Sequence, residues 1–159
     1  MFIIIIIDNF KLKKAGFMLM ELMLIVILLG ILLTVAIGSY INFQKRAKTS
    51  EAKTNLGSIR ICQEAYHVGS ENYLSCPLHP SSVPPGTAVL WKNTQLPNEW
   101  KKLGFEPRGK VRYSYKVETS DEGQSFIASA YGDLNGDSVF STFSINEEGG
   151  EIQENSPLE

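Results

Sequence analysis

From Leu22 to Ile41 the chain runs for about twenty residues without a charge, enough as a helix to cross ~30 Å of hydrocarbon. One carboxylate, Glu21, stands at the leading edge of this run, and Lys13-Lys14-Ala15-Gly16 precede it. A carboxylate held near a bilayer centre costs roughly 2.5–3.5 kcal/mol. Its presence there therefore demands either a route to water or a partner of opposite sign. The opening residues Phe2–Ile7 are apolar but too short to span, and Lys11, Lys13 and Lys14 form a small positive cluster after them. In a secretory signal the small-residue cleavage site follows the apolar core. Here the small pair Ala15-Gly16 comes first, so processing at that point leaves the apolar helix on the mature chain.

The apolar content is concentrated in the first forty or so of the 159 residues. From about Asn42 onward the chain is polar, rich in Gly and Pro, and long enough for one small domain. A net charge of -2 and a pI near 5.7 lack the basic excess that sequence-specific nucleic-acid binding requires. Lys45, Arg46 and Lys48 follow the span as closely as the lysines precede it, so charge bias alone does not orient it.

Residues 42–68 contain no proline, and Ala52, Leu56, Ile59, Cys62 and Tyr66 recur at steps of three and four. This spacing predicts one amphipathic face continuing the helix of the span. With Gly69 as a stop signal, the helix is expected from Phe17 to about Val68, on the order of 75–80 Å long. The following segment, Ser75–Thr87, carries four prolines and is expected to be irregular. One short helical turn is expected around Glu99–Leu103. From Lys110 the period becomes two, with Val111, Tyr113 and Tyr115 alternating with polar residues. Further strands are expected at Ser125–Tyr131 and Val139–Ile145, separated by the turn residues at 120–123 and 133–137. Two hairpins in series make an antiparallel sheet, with its apolar face laid on the amphipathic half of the helix.

The segment KKAG-FMLMELMLIVILLGILLTVAIGSY, residues 13–40, resembles the amino-terminal segment of type IV pilins and of the related type II secretion pseudopilins. The strand-rich region around WKKLGFEPRGKVRYSYKV and ASAYGDLNGD is similar to pilin globular domains, which favours pilins between the two. The resemblance implies an α+β pilin fold with three parts. These are a leader (1–16), a membrane-spanning and filament-core helix (17–41), and a globular domain (42–159) whose amphipathic helix spans about 42–68 and whose sheet spans about 110–146. It implies cutting by a prepilin peptidase between Gly16 and Phe17, and methylation of the new Phe17 amine. The span then leaves lipid at an inner-membrane assembly platform and packs with other copies into a helical filament. Cleavage on the cytoplasmic side places the N-terminus inside, and the assembled subunit outside the cell or in the periplasm. For Glu21 the resemblance implies an ion pair with the Phe17 amine of a neighbour, and the bare reading is a carboxylate snorkelling to water. Gly38 stands where the family often has proline. Adhesion, twitching motility and DNA uptake are the roles the family carries. The alternatives are a secretion pseudopilin, a minor pilin, or a membrane-anchored binding module that never polymerises.

Cys62 and Cys76 are the two cysteines, and a bridge between them closes a loop of about fourteen residues, worth ~3 kcal/mol. A disulfide is expected, although many pilins place theirs nearer the C-terminus; two free thiols are the alternative. A zinc set of Cys62, His67, Cys76 and His79 has poor spacing, and both histidines are expected at the surface. Asp133, Asn135 and Asp137 stand at the one-three-five spacing of a calcium loop, but Ser138 and Ser144 replace its glycine and glutamate. The same residues also read as a plain Asn-Gly turn. No other cofactor is implied, and no nucleophile elbow, phosphate-cradling loop or paired acid suggests an enzyme.

Overall fold

The computed structural model describes residues 19–93, 95–149 and 152–155. The chain divides at Ile41/Asn42 into two units. Helix α1 runs unbroken over Leu19–Ser70, through Gly38. It ends at a left-handed residue, but that residue is Glu71 (φ 59°) and not the expected Gly69. The Glu71 N–H donates to the His67 carbonyl at 2.8 Å, and Ser70 Oγ donates to the Tyr66 carbonyl at 2.8 Å, so the last turn is closed by its own polar groups.

In the second unit the sheet contains β1 (Cys76–His79), β4 (Tyr113–Ser120), β5 (Ser125–Gly132), β6 (Ser141–Asn146) and β7 (Gln153–Asn155). They pair antiparallel in that spatial order. A second two-stranded sheet pairs β2 (Val89–Leu90) with β3 (Lys110–Val111). A short helix, α2, spans Asn98–Leu103 and stops at Gly104, whose φ of 74° suits a residue without Cβ.

The alternation expected for the middle strands produces buried cross-strand rows. Val117, Ala128 and Ile145 form one, Tyr115, Ala130 and Phe143 the next, and Tyr113, Gly132 and Ser141 the third. A Cβ on Gly132 would lie 2.4 Å from the Tyr113 ring, so this row closes only around glycine. Thr49, Ala52, Leu56, Ile59 and Gln63 are the buried positions of α1, and its apolar members join the sheet residues in one core. Trp91, Trp100, Phe105 and Tyr115 extend that core as an edge-to-face aromatic cluster.

Three expectations are corrected. The proline-rich segment does contain a strand: β1 pairs with β4 across a bulge, with Pro77 and Leu78 opposite Lys116. Pro77 is tolerated because β1 is an edge strand, and its carbonyl accepts from Trp100 Nε1 at 2.8 Å. Val139 and Phe140 precede β6 and are half-exposed. His79 is buried at 2 % exposure, where its ring meets Trp91 edge-on and its Nε2 lies 3.0 Å from the Trp91 carbonyl.

Candidate assembly segment and the groups that anchor the domain

The first part of α1 has no core of its own. Every residue from Leu19 to Gln44 is exposed, including Leu22 at 55 %, Leu29 at 52 % and Phe43 at 69 %. Among the described residues this is the one helix long and apolar enough to cross a membrane, with a mean hydropathy of 2.8. Its hydroxyls are turned inward on the helix: Thr34 Oγ1 donates to the Gly30 carbonyl at 2.9 Å and Ser39 Oγ to Val35 at 3.4 Å. Apolar on all sides, with the Thr34 and Ser39 hydroxyls bonded to its own backbone, such a helix suits lipid or other helices of the same kind. At Gly30 and Gly38 nothing within 4 Å meets an added Cβ, so small flat stretches of backbone lie open. Glu21 is exposed in the first described turn. Gly16 and Phe17 lie outside the described residues.

Past Asn42 the same helix is fastened down. Glu51 Oε1 accepts the Arg112 backbone N–H at 2.7 Å, and its Oε2 accepts Arg112 Nη1 at 3.1 Å. One turn on, Asn55 Nδ2 donates to Tyr115 Oη at 2.7 Å. Two turns further, the fully buried Gln63 donates from Nε2 to the Leu74 carbonyl at 2.7 Å and accepts the Leu74 N–H at 3.0 Å. Lys53 pairs with Glu154, tying β7 to the helix. Burial drives the Tyr115 and Tyr113 hydroxyl pKa values upward, so both stay neutral donors and acceptors in the core.

The two cysteines are free thiols in this structure, in place of the expected bridge. Cys76 is buried, its thiol pushed up to about 12 by burial and then by Glu99, and Sγ donates weakly to the Leu74 carbonyl at 3.7 Å. Cys62 is half-buried, and burial raises its pKa too. The Gln63–Leu74 clamp makes the connection assigned to the bridge, joining the helix end to the segment before β1. His67 is committed elsewhere, stacked on Tyr73 with ring centroids 4.4 Å apart.

In the β5–β6 loop, Asp133 is buried. Its Oδ1 accepts the Gly136 N–H at 2.6 Å and its Oδ2 accepts the Ser138 N–H at 3.1 Å. Asp137 Oδ1 accepts the Val139 N–H at 2.8 Å, and its Oδ2 accepts Asn135 Nδ2 at 2.7 Å. The three residues thus stabilise a turn by side-chain-to-backbone bonding. Among the described residues, no group of three or more His, Cys, Asp or Glu gathers where a metal could be held.

The chain is similar to the type IV major pilin protein PilA of Myxococcus xanthus (strain DK1622), 32 % identical over 114 residues, which is 72 % of this chain and 41 % of that protein. The chain thus spans about 41 % of the length of the curated relative it matches. No family model and no solved structure matches it significantly. The long apolar helix continuing under an antiparallel sheet and the sequence match together assign the chain to the type IV pilin family.

Proposed function

We propose that the chain is a structural subunit of a type IV pilus, a filament protein and not an enzyme. The observation that carries this reading is the contrast within α1: the apolar surface of Leu19–Phe43 is exposed throughout, while the continuation is sealed by its own sheet. Burying apolar surface is worth ~25 cal/mol per Å², and lipid and neighbouring helices are the two environments that supply it. The subunit waits in the inner membrane with its N-terminus in the cytoplasm, and a prepilin peptidase cuts between Gly16 and Phe17 and methylates Phe17. An assembly platform then transfers the helix from bilayer to filament core. Glu21 pairs with the Phe17 amine of a neighbour and sets the axial step, because a carboxylate leaving water is best relieved by an opposite charge. Head-to-tail contacts that do not close a ring build an open helix. The similarity to a major pilin favours a pilus over a secretion pseudopilus.

Two measurements test this. Sequencing the mature N-terminus is expected to return N-methyl-phenylalanine from Phe17; a start upstream of it sinks the reading. Glu21→Ala is expected to leave the domain's melting unchanged and to abolish filaments, whereas normal filament yield would remove Glu21 from assembly.

A further inference from the structure

The domain is charged at both ends with opposite sign. From Val117 to Glu159 the chain holds ten Asp and Glu and no Lys or Arg, whereas residues 42–48 and 107–116 hold seven Lys and Arg and no acid. The topology turns this sequence asymmetry into a spatial one. The β4–β5 and β6–β7 turns lie at one end of the sheet, since Ser120 pairs with Ser125 and Ile127 with Asn146. The end of α1 joins them there, with the Tyr73 N–H donating to the Gly123 carbonyl at 2.8 Å and Gln124 Nε2 to the Glu71 carbonyl at 3.0 Å. Glu64, Glu71, Glu122, Glu147 and Glu148 therefore gather at this end, offset by Arg60, whose guanidinium packs on Gly149.

At the opposite end Glu51 reaches Arg112, and Lys48 and Arg112 line one groove. Lys45 and Arg46 lie on the turn of α1 just before Lys48, and Arg108 and Lys110 on the segment that leads through β3 into Arg112. The acids nearby are already engaged: Glu51 with Arg112, Glu106 with Lys92, and Asp133 and Asp137 with their own loop. The length of β4, eight residues or ~25 Å, separates the two ends.

We infer that the partner of the basic end is the acidic end of a second copy of this chain, stacked along the direction of α1. This rests on the filament reading and names the surfaces through which globular domains meet. The two patches differ and lie at opposite ends, so the contact is heterologous and repeats without closing. Opposite patches attract and also set the register, while wrongly aligned copies meet like charge.

Charge reversal and its rescue test the contact in the full chain. Arg108→Glu with Lys110→Glu, and separately Glu122→Lys with Glu148→Lys, alter exposed side chains away from the core. Each pair is expected to lower filament yield about tenfold or more, with helix content and melting temperature unchanged. The quadruple variant, in which both ends are swapped, is expected to regain filaments. If both pairs assemble normally, or the quadruple fails while folded, the contact is overturned and the helix-driven filament stands. If only the basic reversal matters, and it also weakens retention on vesicles of anionic phospholipid, the patch faces lipid and the inference is wrong. A wild-type chain that forms no filaments at all overturns both this contact and the filament reading.

Discussion

The two halves of α1 have the same backbone conformation and opposite fates. Up to Ile41 the described helix is apolar on every side and buries nothing; from Thr49 to Gln63 one face, carrying Ala52, Leu56 and Ile59, is buried. A helix whose apolar residues form a stripe has its partner within the chain, and one whose apolar residues cover the whole circumference must find its partner outside. Secondary structure cannot distinguish the two cases. The hydrogen bonds do: Glu51, Asn55 and Gln63 each meet a group on the sheet or its flanking segment, while Thr34 and Ser39 bond only within the helix.

Matched truncations break this comparison most sharply. Leu56→Ala removes a side chain with no exposure from the core and is expected to cost about 2–5 kcal/mol of domain stability. Leu29→Ala, on a side chain 52 % exposed, is expected to leave the melting of the detergent-solubilised chain unchanged and to act on filament assembly instead. Equal thermal shifts for the two would show that the apolar half is buried against its own domain.

Gln63→Ala probes the anchored half more finely. It strands the N–H and carbonyl of Leu74, which the glutamine amide satisfies together, and is expected to cost about 1–3 kcal/mol in thermal unfolding. Gln63→Glu keeps both roles only while its carboxyl is protonated; once ionised it has no donor for the Leu74 carbonyl, so its stability is expected to fall toward that of the Ala variant as pH rises.

The anchored half was readable because Ala52, Leu56 and Ile59 recur at helical spacing, and β4 and β5 because Tyr113, Tyr115 and Val117 alternate with polar neighbours. β1 is hidden because Pro77 and the prolines that follow mask a strand that pairs along one edge, and β7 because Gln153, Glu154 and Asn155 are exposed and show no apolar alternation. His79 gave no sign of burial, since its environment is made by Trp91, twelve residues on. Gln63 carries no signal of burial in the sequence, because the Leu74 groups that satisfy its amide lie eleven residues further on. The acidic bias after Val117 was countable in the sequence, but only the hairpin topology places Glu122, Glu147 and Glu148 opposite the basic residues, and Asp133 and Asp137 beside them. Glu21 was conspicuous at once, because an isolated carboxylate beside an apolar run needs no structure to be noticed.

The cysteines give a smaller effect with a clear sign. Burial holds the Cys76 thiol at about 12, above its ordinary 9.0. Its contribution to stability is therefore whole below about pH 9 and is lost as pH rises toward 12. At neutral pH a maleimide is expected to label half-buried Cys62 first and Cys76 only on unfolding. If neither thiol labels until a reductant is added, the two are bridged and the Gln63 clamp is not the sole link across this segment.

The smallest expected effect is that of calcium. The oxygens a cation would take from Asp133 and Asp137 accept N–H groups from Gly136, Ser138, Val139 and the Asn135 amide, at 2.6–3.1 Å. Coordination would have to release these donors, including those around a buried Asp133, and the loop lacks the glutamate that closes a calcium loop at its twelfth position. The melting temperature is therefore expected to be the same with calcium and with chelator, while Asp133→Ala, which strands two loop N–H groups, lowers it in both. Stabilisation by calcium that disappears in Asp137→Asn would instead mean that the turn opens to bind the ion, with its own hydrogen bonds serving as the resting state.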